Sequence, residues 1–340
     1  MVPELYIRYF MSSVFIINFY NFSVMSSQKG SYIFFLIFCF VFLISCSKQP
    51  PIDNNTMLDG DKVFDPSIAH PEKYLISAAD TNPTEQQKET PVVIAVHGYS
   101  ATTFEWDEFR HWADSVGKFY VSQVLLGGHG HDYEIFKKAT WEDWQKPIIN
   151  EYRKLDSLGF KKISLIGSST GCPLILEMVY SGKIKTNNYP KHIMMVDPII
   201  IPSAKTLSLV DYVGPMVGYV KTPLDYGEQG HWYQYRPEES LNQLLEFIDM
   251  VRKKLENGIV LPVNTTLKVY KSLKDPSADP VSAVLLYKGT KCHNGNHIDM
   301  EMADSKLHVF TRLQGRNSYT AKDKELQLKT FEDIASIIDE

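Results

Sequence analysis

The sequence predicts an α/β fold, with a mostly parallel central sheet and helices on both faces. Three observations carry that expectation. Apolar, strand-like runs alternate with helix-patterned segments from residue 91 onward. The strand runs are uninterrupted, as in Pro91-Val-Val-Ile-Ala-Val96 and Ile193-Met-Met-Val196, which suits strands covered on both faces. At Ile163–Gly171 an apolar run enters a G-x-S-x-G turn, Gly167-Ser168-Ser169-Thr170-Gly171, and an apolar, helix-compatible run, Pro173–Tyr180, leaves it.

The glycines of that turn have a steric explanation. A serine on a sharp, strained turn needs neighbours without Cβ atoms on both sides. Gly167 and Gly171 flank Ser169 symmetrically, so Ser169 is the candidate nucleophile and Ser168 the variable residue. The turn presents Ser169 at a helix N-terminus, where the free backbone N–H of Thr170 can face a developing oxyanion.

The remaining elements follow in order. The strand at Pro91–Val96 ends in His97-Gly98-Tyr99-Ser100, and a helix is expected over Glu105–Val116. A strand at Phe119–Leu126 leads into the turn Gly127-Gly-His-Gly-His131, and a helix over Trp141–Leu158 precedes the G-x-S-x-G strand. The next strand, Ile193–Asp197, ends on an aspartate that reads as a polar strand-end residue. Residues 201–260 form an insertion. Leu241, Leu244, Leu245, Ile248 and Val251 stand at helical spacing there, beside an aromatic loop at Asp225–Tyr235. A strand at Thr266–Lys271, a helix at Ser282–Tyr287, a strand at Ile298–Met302 and an amphipathic helix at Lys324–Ile338 complete the series.

Composition narrows the function class. The 340 residues are 44% hydrophobic and 22% charged, ordinary for a folded protein. A net charge of −5 without basic clusters argues against a nucleic-acid partner. Of four cysteines, Cys39 and Cys46 lie in an N-terminal apolar segment, and no spacing pairs Cys172 with Cys292. His129 and His131 resemble a fragment of a metal site but lack a third ligand at suitable spacing. Cys292-His-Asn-Gly-Asn-His297 reads as a turn, so no metal or organic cofactor is expected.

The N-terminus reads as an address. Tyr32–Ile44 is a thirteen-residue apolar run, too short to span a bilayer as a helix and right for a signal-peptide core, with Lys29 before it. Leu43-Ile44-Ser45-Cys46 resembles the lipobox of bacterial lipoproteins. That resemblance implies cleavage before Cys46, its acylation, and a lipid-anchored protein of the bacterial cell envelope. Ser47 in the next position points to the outer membrane. Met25 makes a conventional start for such a signal, which would leave residues 1–24 untranslated; an uncleaved signal anchor is the alternative. Residues 47–90 would be a tether and an N-terminal edge segment with a strand at Tyr74–Ala79. A core in two parts, 91–200 and 261–340, would then be interrupted by a lid at 201–260.

The body of the chain, residues 90–340, resembles the α/β-hydrolase family. His97-Gly98, Gly-His-Gly at 128–130 and Leu-Ile-Gly-Ser-Ser-Thr-Gly at 165–171 fall in family order. The resemblance implies an α/β-hydrolase fold with a small lid after the sixth strand. It places a second oxyanion donor at the backbone N–H of Tyr99, beside Thr170. It also puts an acid after the strand Thr266–Lys271 and a histidine near the end. Asp279, in Asp-Pro-Val-Ser, is favoured as the acid over Asp275. His308, in Ser305-Lys-Leu-His-Val309, is the histidine, 29 residues after Asp279. The implied triad is Ser169, Asp279 and His308. The implied activity is that of carboxylesterases and monoacylglycerol lipases, acting on a small or lipid-like ester. A thioesterase or another acyl hydrolase on the same fold is the alternative, and an inactive, surface-binding lipoprotein is the rival from another class.

Overall fold

A computed structural model describes residues 82–184, 188–203 and 218–340. The expected signal segment with Cys46, most of the expected tether with its expected strand at 74–79, and residues 204–217 of the expected lid lie outside these.

A six-stranded sheet organises the described chain. Its strands are β1 (Val92–Val96), β2 (Tyr120–Val124), β3 (Ile163–Ser168), β4 (His192–Val196), β8 (Thr266–Ser272) and β10 (Asp299–Ala303). Their spatial order is β10-β8-β4-β3-β1-β2, and every neighbouring pair is parallel. All carboxyl ends therefore point to one edge. In open parallel sheets that edge is where sites form.

The apolar runs form central strands because both faces are covered. Val92, Ile94 and Val96 face one hydrophobic cluster, while Val93 and Ala95 face another. The first cluster contains side chains of Trp141–Ser157, Gly171–Tyr180, Glu238–Glu256 and Val281–Gly289. The second is closed by Asp107–Val116 and the C-terminal helix Ala321–Asp339, through Phe109 and Phe331. Thr140 and Thr320 start their helices with capping boxes that satisfy exposed N–H donors.

Within the described residues the expected elements are present, with shifted ends and local differences. The segment expected as one helix from Glu105 is a 3₁₀ turn, Thr103–Trp106, followed by the α-helix Asp107–Val116. The α-helix starts later because the Glu105 carboxylate turns inward, accepting from the Gly98 N–H at 2.8 Å. A short helix, Tyr133–Lys138, was not expected; Asp132 caps it by accepting from Ile135 N–H.

In the insertion, β5 (Tyr219–Lys221) and β6 (Tyr235–Pro237) pair antiparallel, the helix Glu238–Glu256 follows, and beyond it the short β7 (Ile259–Val260) pairs parallel with β9 (Thr290–Lys291). Leu244, Phe247, Ile248, Val251 and Leu255 of that helix join the first hydrophobic cluster, so its apolar stripe packs on the body. The aromatic loop also packs inward. Trp232 and Tyr233 are buried, Tyr233 stacks on Phe136, and the Tyr233 N–H donates to the Ser100 carbonyl at 2.8 Å. Among the described residues no helix is long and apolar enough to cross a membrane.

Candidate active site

The turn after β3 shows the strain its sequence implies. Ser169 has φ +49°, a left-handed conformation that a serine adopts only where its surroundings hold it. A Cβ on Gly167 would lie 2.8 Å from the Gly171 carbonyl carbon. One on Gly171 would lie 2.5 Å from the Val96 carbonyl oxygen. Both glycines are therefore required by backbone packing. The turn is pinned by the Ser169 N–H, which donates to the Val196 carbonyl at the end of β4, 3.0 Å away.

Three neighbouring strands deliver the partners. From the β3 end the order of strand ends is Ser169 after β3, Asp197 after β4, Asp275 after β8, and His308 after β10. The loops carrying Asp275 and His308 are stitched together, since Leu273 N–H donates to Ala303 O at 2.9 Å and Lys274 N–H to Ser305 O at 3.1 Å. The His308 ring then bridges two side chains. Its Nε2 is 2.8 Å from Ser169 Oγ, and its Nδ1 is 2.8 Å from Asp275 Oδ2.

The expected Asp279 is not in this line. Its Oδ1 accepts from Val281 N–H at 2.8 Å, at the start of the helix Val281–Gly289, and the side chain shapes that helix end. Asp275 takes the place instead. Its Oδ1 accepts from Ser277 N–H at 2.7 Å and Ala278 N–H at 3.1 Å, which leaves Oδ2 for His308 and for the Lys271 ammonium. Burial alone would push the Asp275 carboxyl up. The His308 ring and the Lys271 ammonium overturn that and hold it well below the usual carboxylate range.

Asp197 is more than a polar strand end. It is fully buried at φ +47°. Its Oδ1 accepts from Ser272 N–H at 2.7 Å and from Lys271 Nζ at 3.2 Å, and its Oδ2 from Ser272 Oγ and Phe310 N–H, both at 3.1 Å. It ties β4, β8 and the His308 loop together. One ligand atom each from Asp197, Asp275 and His308 lies within 4.8 Å of the others. The Lys271 ammonium contacts both carboxylates, so the cluster carries its own cation.

The turn after β1 closes on Ser169 from the other side. Gly98 approaches so closely that a Cβ there would lie 2.9 Å from Ser169 Cβ. Its N–H is taken by Glu105 Oε1, which also accepts from Ser168 Oγ. The backbone of Tyr99 follows directly. Thr170 is the N-cap residue of the helix Gly171–Tyr180, and an N-cap N–H has no intrahelical acceptor. The Tyr99 ring packs near Phe136 and Trp144, and its hydroxyl meets Ser240 Oγ at 2.5 Å.

The histidines set aside in the sequence have other surroundings. His97 Nε2 accepts from Leu126 N–H at 3.0 Å, joining the loops after β1 and β2. His129 is fully buried among Tyr99, Phe136 and Trp144; burial pulls its pKa well down, which keeps the ring neutral. Residues 292–297 form a turn closed by Cys292 N–H on the Asn296 carbonyl at 2.9 Å, and Cys172 and Cys292 are free thiols.

Two residues of the site went unnoticed in the sequence. Lys271 follows Leu267 and Val269 at period two, which puts it on their inward face. Glu105 sits between Phe104 and Trp106, an acid inside an aromatic run.

No protein-family model and no curated protein sequence matches the chain. Solved structures do match it. One comes from a study of two metagenome-derived lipolytic enzymes, LipS and LipT: 16% identity over 74% of this chain and 95% of that one, TM-score 0.58. A soluble variant of monoglyceride lipase from Saccharomyces cerevisiae matches at 14% identity, over 76% and 88%, TM-score 0.57. A monoacylglycerol lipase from Paleococcus ferrophilus matches at 16%, over 73% and 96%, TM-score 0.55. At such identities the likeness speaks for the fold, and the fold is that of the α/β-hydrolases.

Proposed function

We propose that this chain, on its α/β-hydrolase fold, is a serine hydrolase that cleaves carboxylic esters through Ser169, His308 and Asp275. The carrying observation is the continuous line from Ser169 Oγ through the His308 ring to Asp275, with both contacts at 2.8 Å. Two lipase structures among the matches favour an ester as the bond cleaved.

His308 Nε2 takes the Ser169 proton as Oγ attacks the ester carbonyl. Asp275 holds the ring with its proton on Nδ1 and stabilises the imidazolium that forms. The tetrahedral oxyanion lies between the N–H groups of Tyr99 and Thr170, each worth about 3–4 kcal/mol to the transition state. His308 then protonates the leaving alcohol. Water, activated by the same ring, releases the acid from the acyl-enzyme on Ser169. The substrate is a small or lipid-like ester, and anchoring at Cys46 would keep the enzyme at a membrane surface of the cell envelope.

A fluorophosphonate probe tests the chemistry. It should label the wild type and spare Ser169→Ala. Absence of labelling in the folded wild type, or equal labelling of both, sinks the proposal. Nitrophenyl esters from about two to sixteen carbons then read the acyl preference, and activity confined to short acyl groups removes the lipid-like substrate. The anchor is tested separately, by incorporation of radioactive fatty acid with and without Cys46→Ala.

A further inference from the structure

We infer that Lys271 is a positioning residue of the hydrolytic site: its ammonium offsets Asp197 and keeps Asp275 ionised and aimed at His308. The inference rests on the triad proposed above and adds a fourth and fifth member behind it.

Lys271 lies at the carboxyl end of β8, and its side chain is fully buried. A lysine is almost never buried unless paired. Here the ammonium reaches Asp197 Oδ1 at 3.2 Å and, more closely, Asp275 Oδ2, the oxygen that also receives His308 Nδ1. Both carboxylates are themselves fully buried. Two buried carboxylates this close cannot both stay ionised without a cation between them. The lysine supplies it. The remaining acceptors of Asp197 are filled by Ser272 and Phe310, and those of Asp275 by Ser277 and Ala278, so only the lysine's charge is shared.

At rest, Asp197, Lys271 and Asp275 together carry one negative charge. When His308 takes the Ser169 proton, the imidazolium cancels it. Without Lys271 the pair would hold a proton until higher pH or carry a second negative charge. In either case His308 becomes a competent base only at higher pH. Without the Asp197 charge, the lysine would stand less opposed and the imidazolium would be less favoured.

The other ionisable groups around the cluster are committed elsewhere. Cys172, on the helix Gly171–Tyr180, is held as a neutral thiol by burial and donates to the Gly167 carbonyl. Glu105 Oε1 takes Gly98 N–H and Ser168 Oγ. Arg316 donates to the His308 carbonyl, and Lys274 turns outward to Asp304.

The test is the rate of inactivation by a fluorophosphonate against pH, for wild type, Lys271→Met and Asp197→Asn, beside nitrophenyl-ester hydrolysis. Circular dichroism at each pH restricts the comparison to the range in which each variant stays folded, so that acid unfolding is not counted as a limb. Lys271→Met should move the acidic limb up by about one pH unit. Its kcat should fall at least about tenfold, with KM within about twofold. Asp197→Asn should move the limb down. Opposite displacements support the inference; unmoved limbs in a labelled wild type overturn it and leave the triad standing. Where Lys271→Met does not fold, the Asp197→Asn limb decides alone, an unmoved or raised limb overturning the inference. A wild type that is not labelled at Ser169 overturns the triad and this inference with it.

Discussion

Replacing Asp275 and Asp279 separately by asparagine distinguishes two aspartates of one loop. Asp275 accepts from four donors: His308 Nδ1, Lys271 Nζ, Ser277 N–H and Ala278 N–H. Asparagine offers one oxygen and one NH₂ group. If the oxygen keeps the two loop N–H groups, the NH₂ group faces His308 Nδ1 and Lys271. The ring then carries its proton on Nε2, where it cannot accept from Ser169. Hydrogen bonds to charged groups contribute about 1.5–3 kcal/mol each. Losing the His308 and Lys271 bonds together with the stabilisation of the imidazolium amounts to about 4–5.5 kcal/mol, or 10³–10⁴ in kcat. Asp279→Asn retains an acceptor for Val281 N–H and should change kcat less than about twofold, because asparagine serves a helix start as well as aspartate. The assay is kcat on a nitrophenyl ester, with a urea midpoint for each variant. An inactive Asp279→Asn beside an active Asp275→Asn would refute the reasoning.

Three further expectations follow from the same geometry. Gly98→Ala puts a Cβ 2.9 Å from Ser169 Cβ and 3.5 Å from its Oγ, so kcat should drop by about a hundredfold while near-native melting is kept. Asp275 has its pKa depressed on folding, so it stabilises the fold above about pH 4 and that contribution is lost as pH falls further; urea midpoints of wild type and Asp275→Asn should converge on acidification below that pH. Arg316, whose pKa burial pulls down to about 10, donates to the carbonyls of His308, Val309 and Arg312. Because Val309 is held at φ +55°, Arg316→Met should loosen the His308 turn and lower kcat about tenfold with KM unchanged.

The sheet was legible because its signal is local. Val92–Val96 and His192–Val196 are strands covered on both faces, and uninterrupted apolar runs announce that environment. Ser169 was legible for a related reason. Its two glycines answer to carbonyl groups a few ångströms away, and no other residue fits there. Glu105 was misplaced on a helix because nothing in Phe-Glu-Trp shows that its carboxylate will find Gly98 N–H across seven residues. Aromatic content alone would suggest a substrate contact for the loop Asp225–Tyr235. Trp232 and Tyr233 instead serve the packing of the insertion on the body, a use that aromatic content does not distinguish from ligand contact.

The acid could not be ranked from its own segment. Asp275 accepts from the N–H two residues on, Ser277, and Asp279 accepts from the N–H two residues on, Val281. Both are followed by proline and make the same local turn. What separates them is the second carboxylate oxygen, and its fate depends on which strand end stands opposite. For Asp275 that is the end of β10, whose loop brings His308, with Lys271 beneath. For Asp279 it is the start of a helix. The informative residue was therefore four positions upstream. A lysine continuing the inward face of Leu267 and Val269 must be buried, a buried lysine requires a carboxylate within reach, and Asp275 is the aspartate that the strand's end can supply.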